Sequence, residues 1–233
     1  MNITSARRLL GLAALAASMG APAGVAAAQP APGCPAVEVV FARGTFEAPG
    51  IGDTGQALVN SLNGRLTTPV ATYGVNYPAS LDFPTAASGV ADAANHIQSV
   101  VQNCPSTQIV LGGYSQGAAV AAYTTFDHVP PGFILPPDIS GPMPDSVASH
   151  VAAVVLFGTP DPFFLNLVDR SAPSLTVGAL YADKTLQLCA PGDPVCQPGA
   201  LDRAAHSAYK SNGMADQAAA FVVDRLDGAA GAQ

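Results

Sequence analysis

The sequence predicts a single α/β domain of three layers, a central five-stranded parallel sheet with helices packed on both faces. Three observations carry that prediction. Segments rich in β-branched and apolar residues alternate with segments whose apolar residues recur at helical spacing. The strand segments are apolar along nearly their whole length, as strands buried on both faces must be. Finally, residues 29–233, about 205 in number, suffice for one well-cored domain but not for two.

The first 28 residues lie outside that domain. Arg7 and Arg8 precede an apolar run over 9–17, and small residues lead to Ala26, Ala27 and Ala28. This is the layout of a secretory signal peptide with an A-x-A cleavage site. Ser18, Gly20 and Pro22 break the run before it reaches the ~20 residues of a membrane span. The mature protein is therefore expected to be secreted, free or held at the cell wall, with no transmembrane segment.

Within the domain, 37–41 (VEVVF) reads as the first strand, followed by a polar turn, Ala42-Arg43-Gly44-Thr45-Phe46-Glu47. A helix over 55–66 places Ala57, Leu58, Leu62 and Leu66 on one face, and 70–77 reads as the second strand. Pro84 opens a longer helix as its first residue; Val90, Ala94, Ile97 and Val101 follow at helical spacing until Asn103-Cys104-Pro105 stops it. A strand from 107 runs into a turn at Ser115 and out into a helix ending near Phe126. The proline-rich stretch 127–146 is neither helix nor strand and reads as a long, semi-rigid surface loop. Residues 151–157 (VAAVVLF) form a buried strand ending in Gly158-Thr159-Pro160-Asp161, 174–181 forms the fifth, and 215–226 closes the chain as a helix.

Composition excludes one class of partner. Removing Arg7 and Arg8 leaves seven basic against 16 acidic residues, a formal charge of −9, without a basic cluster. Nucleic acid is not expected to bind. Charged residues make up 11% of the chain and hydrophobic ones 49%, a near-neutral surface suited to apolar material. The four cysteines, in an exported chain, point to two disulfides. Of the three pairings, Cys34 with Cys104 and Cys189 with Cys196 is favoured, because the second pair is close in sequence and encloses a Pro- and Gly-bearing loop. Loop entropy gives about 4 kcal/mol for the long bridge and about 2.5 for the short one. The spacing of neither pair is that of a zinc site, so no metal is expected.

Chemistry enters at Gly113-Tyr114-Ser115-Gln116-Gly117. This is the G-x-S-x-G pattern of a serine on a tight strand-to-helix turn, whose glycines remove side chains that would strike neighbouring elements. With 23 glycines and 15 serines in the chain, about 0.15 such matches arise by chance, so context decides. The context is a strand end in a parallel sheet, the edge at which ligands bind. A nucleophilic serine needs a base, and the base needs an anion behind it, in the chain order serine, acid, histidine of α/β-hydrolases. His96 precedes the serine and reads as a helix-surface residue, His128 follows the serine's own helix too closely, and His150 enters a strand at the opposite edge. His206 is the base. Asp161, Asp183 and Asp193 lie between Ser115 and His206. Asp193 ranks first, because the Cys189–Cys196 loop holds it with little freedom. Asp183, read as ending a strand, ranks second. Gln116 N–H and the Thr45 turn are the expected oxyanion donors.

Four blocks, FARGTFE (41–47), GGYSQG (112–117), CAPGDPVC (189–196) and HSAY (206–209), occur in this order, and with them the chain resembles the cutinases and the cutinase-like exported esterases of mycobacteria and related actinobacteria. The resemblance runs from Cys34 to about Tyr209. It implies a small, lidless α/β-hydrolase, Ser115, Asp193 and His206 as the triad, an oxyanion hole at Thr45 and Gln116, both disulfides as paired above, and no cofactor. It further implies hydrolysis of short- to medium-chain acyl esters or lipids by a monomer. Acetylxylan esterase or phospholipase activity on the same fold is the alternative, as is a secreted binding or antigenic protein that has lost catalysis. Leu81, Phe83, 163–168 and Leu201 offer apolar material near the expected mouth, with 163–168 read as core.

Overall fold

The structure, a computed structural model, describes Met1 and residues 33–131 and 133–231; apart from Met1, the export segment expected over 1–28 lies outside the described residues. Five strands, β1 (Val37–Ala42), β2 (Ala71–Gly74), β3 (Gln108–Tyr114), β4 (Val151–Phe157) and β5 (Thr185–Leu188), form one sheet in the order β2-β1-β3-β4-β5. Every pairing is parallel. All residues of β1 and β4 are buried, whereas the edge strands β2 and β5 are largely half-exposed. The unbroken apolar runs in the sequence thus mark the interior strands.

The helices are α1 (Gly52–Asn63), α2 (Ala87–Asn103), α3 (Gln116–Thr124), α4 (Pro162–Val168), α5 (Ala179–Ala182), α6 (Arg203–His206) and α7 (Met214–Gly231). Strand side chains alternate between two cores. Val39, Phe41, Val110, Val155 and Phe157 pack with Leu58 and Leu62 of α1 and Ala218, Ala219 and Val222 of α7. Val40, Ala42, Leu111, Val154 and Leu156 pack with Val90, Ala94 and Ile97 of α2 and Val120 of α3. Among the described residues no helix is long and apolar enough to cross a membrane.

Topology positions the site. From β1 the chain winds outward to β2, and from β3 it winds the other way to β4 and β5. The loops leaving β1 and β3 therefore diverge, opening a crevice at the carboxyl ends of these neighbouring strands.

The fifth strand is not where the sequence places it. Residues 174–181 run as coil into α5, and the ladder to β4 is made by β5 instead, with Val154 opposite Thr185 and Phe157 opposite Leu188. Leu175 and Val177 do pack on the core, but the backbone there is committed elsewhere. Gly178 N–H donates to Thr125 Oγ1, and a Cβ on Gly178 would lie 1.9 Å from Thr125 O. Three boundaries also move: β2 is only Ala71–Gly74, α1 starts at Gly52, and Pro84 sits in a 3₁₀ turn (Phe83–Ala86) ahead of α2. The proline-rich stretch is a loop until a 3₁₀ turn at Asp145–His150, and it buries Met143 while leaving Ile134 exposed.

Both expected disulfides form, with Cα separations of 5.6 Å for Cys34–Cys104 and 5.8 Å for Cys189–Cys196. The first fastens the lead-in of β1 to the end of α2, so it closes the longer loop. Replacing Cys34 and Cys104 together by Ser is expected to lower unfolding free energy by about 4 kcal/mol in urea titrations. A loss no larger than for the Cys189/Cys196 double variant would contradict that ordering.

Candidate active site

At the end of β3 the chain reverses within one residue. Ser115 has φ 56° and ψ −120°, and α3 begins at Gln116. A non-glycine residue held at positive φ costs about 1–3 kcal/mol, so its surroundings must enforce it. A Cβ on Gly113 would lie 2.1 Å from Gly117 O, and one on Gly117 would lie 2.0 Å from Ala42 O. The two motif glycines therefore let the elbow close on itself and on the end of β1. Ser115 N–H donates to Phe157 O at 2.9 Å, tying the turn to β4 as well.

His206 is the last residue of α6, a single turn capped by Asp202, whose Oδ1 accepts Ala204 N–H at 2.9 Å. Asp202 N–H donates to Gly192 O, joining this turn to the disulfide loop, and Tyr114 donates its hydroxyl to His206 O at 2.6 Å. So held, the imidazole places Nε2 2.9 Å from Ser115 Oγ and Nδ1 2.9 Å from Asp193 Oδ2. An ionised carboxylate only accepts, so Nδ1 carries the proton and Nε2 is left to accept from Ser115.

Asp193 is fully buried. Burial pushes its carboxyl up, but hydrogen bonds from His206, Tyr209 and Val195 N–H outweigh that effect and hold it below its ordinary value. Val195 N–H donates to Oδ1 at 2.8 Å, while Tyr209 donates to Oδ2 at 2.5 Å. Burial is also the largest of the causes that raise the Tyr209 phenol well above its usual range.

The β1 turn bearing Thr45 is fixed on both sides. Buried Arg43 donates from Nε to Glu47 O at 2.8 Å and from its terminal nitrogens to Val75 O and Tyr77 O at 3.3 and 2.6 Å. The Glu47 carboxylate accepts Gly44 N–H at 2.6 Å and Asp53 N–H at 2.8 Å. Gln116, first in α3, has no intrahelical acceptor for its N–H, and its side chain donates to Ser80 O at 3.0 Å.

Ser115, His206 and Asp193 thus meet, with Thr45 on the turn that follows β1 and Gln116 at the start of α3. The other candidates stand apart. Asp161 caps α4, accepting Phe164 N–H at 2.7 Å. Asp183 ends α5 and precedes β5, at the wrong edge of the sheet, because the strand expected before it does not form. His96 is not a free surface residue: it pairs with buried Glu38 at 2.9 Å and stacks on Tyr73. His128 is exposed, and His150 lies in the 3₁₀ turn entering β4. Residues 163–168 are not core either, since Phe163 and Leu167 are 71% and 69% exposed and only Leu165 is buried. A seven-residue helix after a strand end has too short an inward face to hide them. With Leu81 and Leu201, also exposed, they give the loops at this end of the sheet an apolar rim.

Sequence reasoning assigned no role to Arg43, Glu47, Tyr114 or Tyr209. Arg43 carried a signal, an arginine in a chain poor in charge directly after a buried strand; the hydroxyl contacts of the two tyrosines carried none.

A family model described as Cutinase matches residues 33–226. Among curated relatives, "Carboxylesterase Culp1" of Mycobacterium tuberculosis is 44% identical over 231 residues, covering 97% of this chain and 99% of the relative. "Probable carboxylesterase Culp5" of the same organism is 50% identical over 157 residues, covering 67% and 87%. "Phospholipase Culp4", again from that organism, is 45% identical over 195 residues, covering 83% and 80%. Among solved structures, Trichoderma reesei cutinase in complex with a phosphonate inhibitor superposes with TM-score 0.60 at 34% identity over 83% of this chain and 77% of that one. An acetylxylan esterase superposes with TM-score 0.66 at 27% identity over 83% and 99%.

Because the folded carboxyl of Asp193 is depressed, its contribution to stability is present above the ordinary value of 3.8 and is lost as pH falls through the folded value. The stability gap between wild type and Asp193→Asn should therefore be wide at pH 7 and shrink below that value, measured by urea melts across the range; a gap independent of pH would refute this. Gly117→Ala should destabilise the fold, visible as a lower Tm, since the new methyl meets β1 backbone and not a movable side chain.

Proposed function

The chain belongs to the cutinase family and is a serine hydrolase of carboxylic esters, and we propose that it works outside the cytoplasm through an acyl-enzyme on Ser115, on short- to medium-chain acyl esters. The observation that carries the catalytic reading is the unbroken hydrogen-bonded line from Ser115 Oγ through His206 to Asp193, at 2.9 Å in both links. The layout of residues 1–28 supports export.

In this reading Ser115 Oγ attacks the ester carbonyl carbon while His206 Nε2 takes its proton. Negative charge moves to the carbonyl oxygen, where Gln116 N–H and the N–H or hydroxyl of Thr45 receive it. The buried Asp193 carboxylate stabilises the imidazolium without itself taking the proton. When the intermediate collapses, the bond to the alcohol oxygen breaks, and His206 Nε2 hands its proton to that leaving oxygen. Water then attacks the acyl carbon of Ser115 and gives its proton to Nε2. Collapse of this second intermediate frees the acid and returns the proton to Ser115.

The exposed apolar rim of Leu81, Phe163, Leu167 and Leu201 supports an acyl or lipid substrate. A phospholipid is the second reading, favoured by the 45% identity to the relative named as a phospholipase. Rates on p-nitrophenyl butyrate and on a phospholipid separate the two.

Ser115→Ala is expected to lower kcat on p-nitrophenyl butyrate by about 10⁵–10⁶. Hydrolysis at the wild-type rate by this variant would sink the assignment.

A further inference from the structure

Tyr209 is fully buried, and each capacity of its hydroxyl is assigned. The oxygen accepts Ala190 N–H at 3.0 Å and lies 3.4 Å from Cys196 Sγ, and the proton is directed to Asp193 Oδ2 at 2.5 Å. That oxygen also accepts His206 Nδ1–H. The ring is seated edge-on against Phe157, with centroids 5.9 Å apart, and at 5.7 Å from Tyr114. Room for the junction comes from Gly158, at φ 58°, where a Cβ would lie 3.1 Å from both the Tyr209 hydroxyl and Asp193 Oδ2.

From this geometry we propose that Tyr209 is a positioning residue that sets how tightly the Asp193–His206 pair holds its proton. The proposal rests on the catalytic reading above. A second donor on Oδ2 disperses the charge that His206 Nδ1–H would otherwise face alone, so the pair binds a further proton less avidly. That sign holds whether the further proton is assigned to the imidazole or to the carboxyl, because one hydrogen bond couples the two. Tyr209 thus shares Asp193 Oδ2 with the imidazole and limits how strongly that carboxylate draws a further proton to the pair. It also fixes which lone pair of Oδ2 the imidazole meets, and with it the aim of Nε2 at Ser115.

The titratable and charged neighbours of the pair leave this role to Tyr209. Tyr114, at the end of β3, spends its hydroxyl on His206 O, and its phenol is pushed up to about 12 by burial first and by Glu47 and Asp193 after it. Asp202 and Arg203 stand on the same turn as His206, with Asp202 spent as a cap. Lys210, next to Tyr209 in sequence, is exposed and paired with Asp53. Glu47 is engaged by Gly44 N–H and Asp53 N–H.

Tyr209→Phe keeps the ring and removes the donor. The acid limb of kcat/KM on p-nitrophenyl butyrate is expected to move to higher pH by about one unit, with kcat lowered and KM unchanged. Placing 3-fluorotyrosine at 209 makes the phenol a stronger donor and should move the limb to lower pH. A purely structural role predicts a lower Tm for Tyr209→Phe, since Ala190 N–H loses its acceptor, with the limb unmoved; that result overturns the proposal. If Tyr209→Phe does not fold, the fluorotyrosine protein decides, and an unmoved limb there overturns it equally. Only the rate abolished by Ser115→Ala is analysed, so a failure of the catalytic reading shows in that control and not in the shift.

Discussion

A carboxylate with no exposure to water organises this site. Asp193 sits where an isolated charge would be driven to neutralise, and it stays anionic because donors from three directions converge on it: the His206 imidazole, the Tyr209 hydroxyl and Val195 N–H. Each donor comes from a segment that the anion then holds in place. The Cys189–Cys196 bridge closes the loop that carries the charge, Asp202 pins the His206 turn to that loop through Gly192 O, and Gly158 gives up a side chain so that Tyr209 can reach it. Orientation of the imidazole is a consequence of satisfying one buried charge.

The Ser115 elbow is held by a different device, close packing of backbone on backbone. Ser115 turns at positive φ between two glycines, and β1 and α3 pack so closely there that neither Gly113 nor Gly117 has room for a side chain. The contact that forbids a side chain at Gly117 is with Ala42 O, the last residue of β1. The elbow and the turn carrying Thr45 are therefore one packed unit, stiffened from below by the Arg43 guanidinium on three carbonyls. In the proposed reaction, donors pre-set in this way would stabilise developing negative charge without reorganising as it proceeds.

Much of this was written in local pattern. Interior strands were readable because a parallel sheet leaves β1 and β4 no wet face, and the serine and its partners because their order and the disulfide-bounded Asp193 restrict the choices. The fifth strand was misplaced because 174–181 has strand composition while its backbone is claimed by Thr125, a partner distant in sequence. For the same reason Asp183 looked like a strand-end acid. His96 looked like a surface residue because Glu38, which it meets 58 positions away, is hidden within an apolar run. Residues 163–168 were read as core because apolarity alone does not reveal a short helix at an open sheet edge. Tyr209, too, was visible only as a letter in a motif, since its function depends on where one hydroxyl hydrogen points.

The central claim is that Ser115, activated by His206 and Asp193, forms a covalent bond to the reacting carbon. Incubation with a fluorophosphonate probe followed by intact-mass and peptide mass spectrometry tests it most directly. One equivalent of adduct on the peptide containing Ser115, lost in Ser115→Ala and strongly slowed in Asp193→Asn, is the result this account predicts. No adduct, or an adduct on another residue that persists in Ser115→Ala, would contradict it.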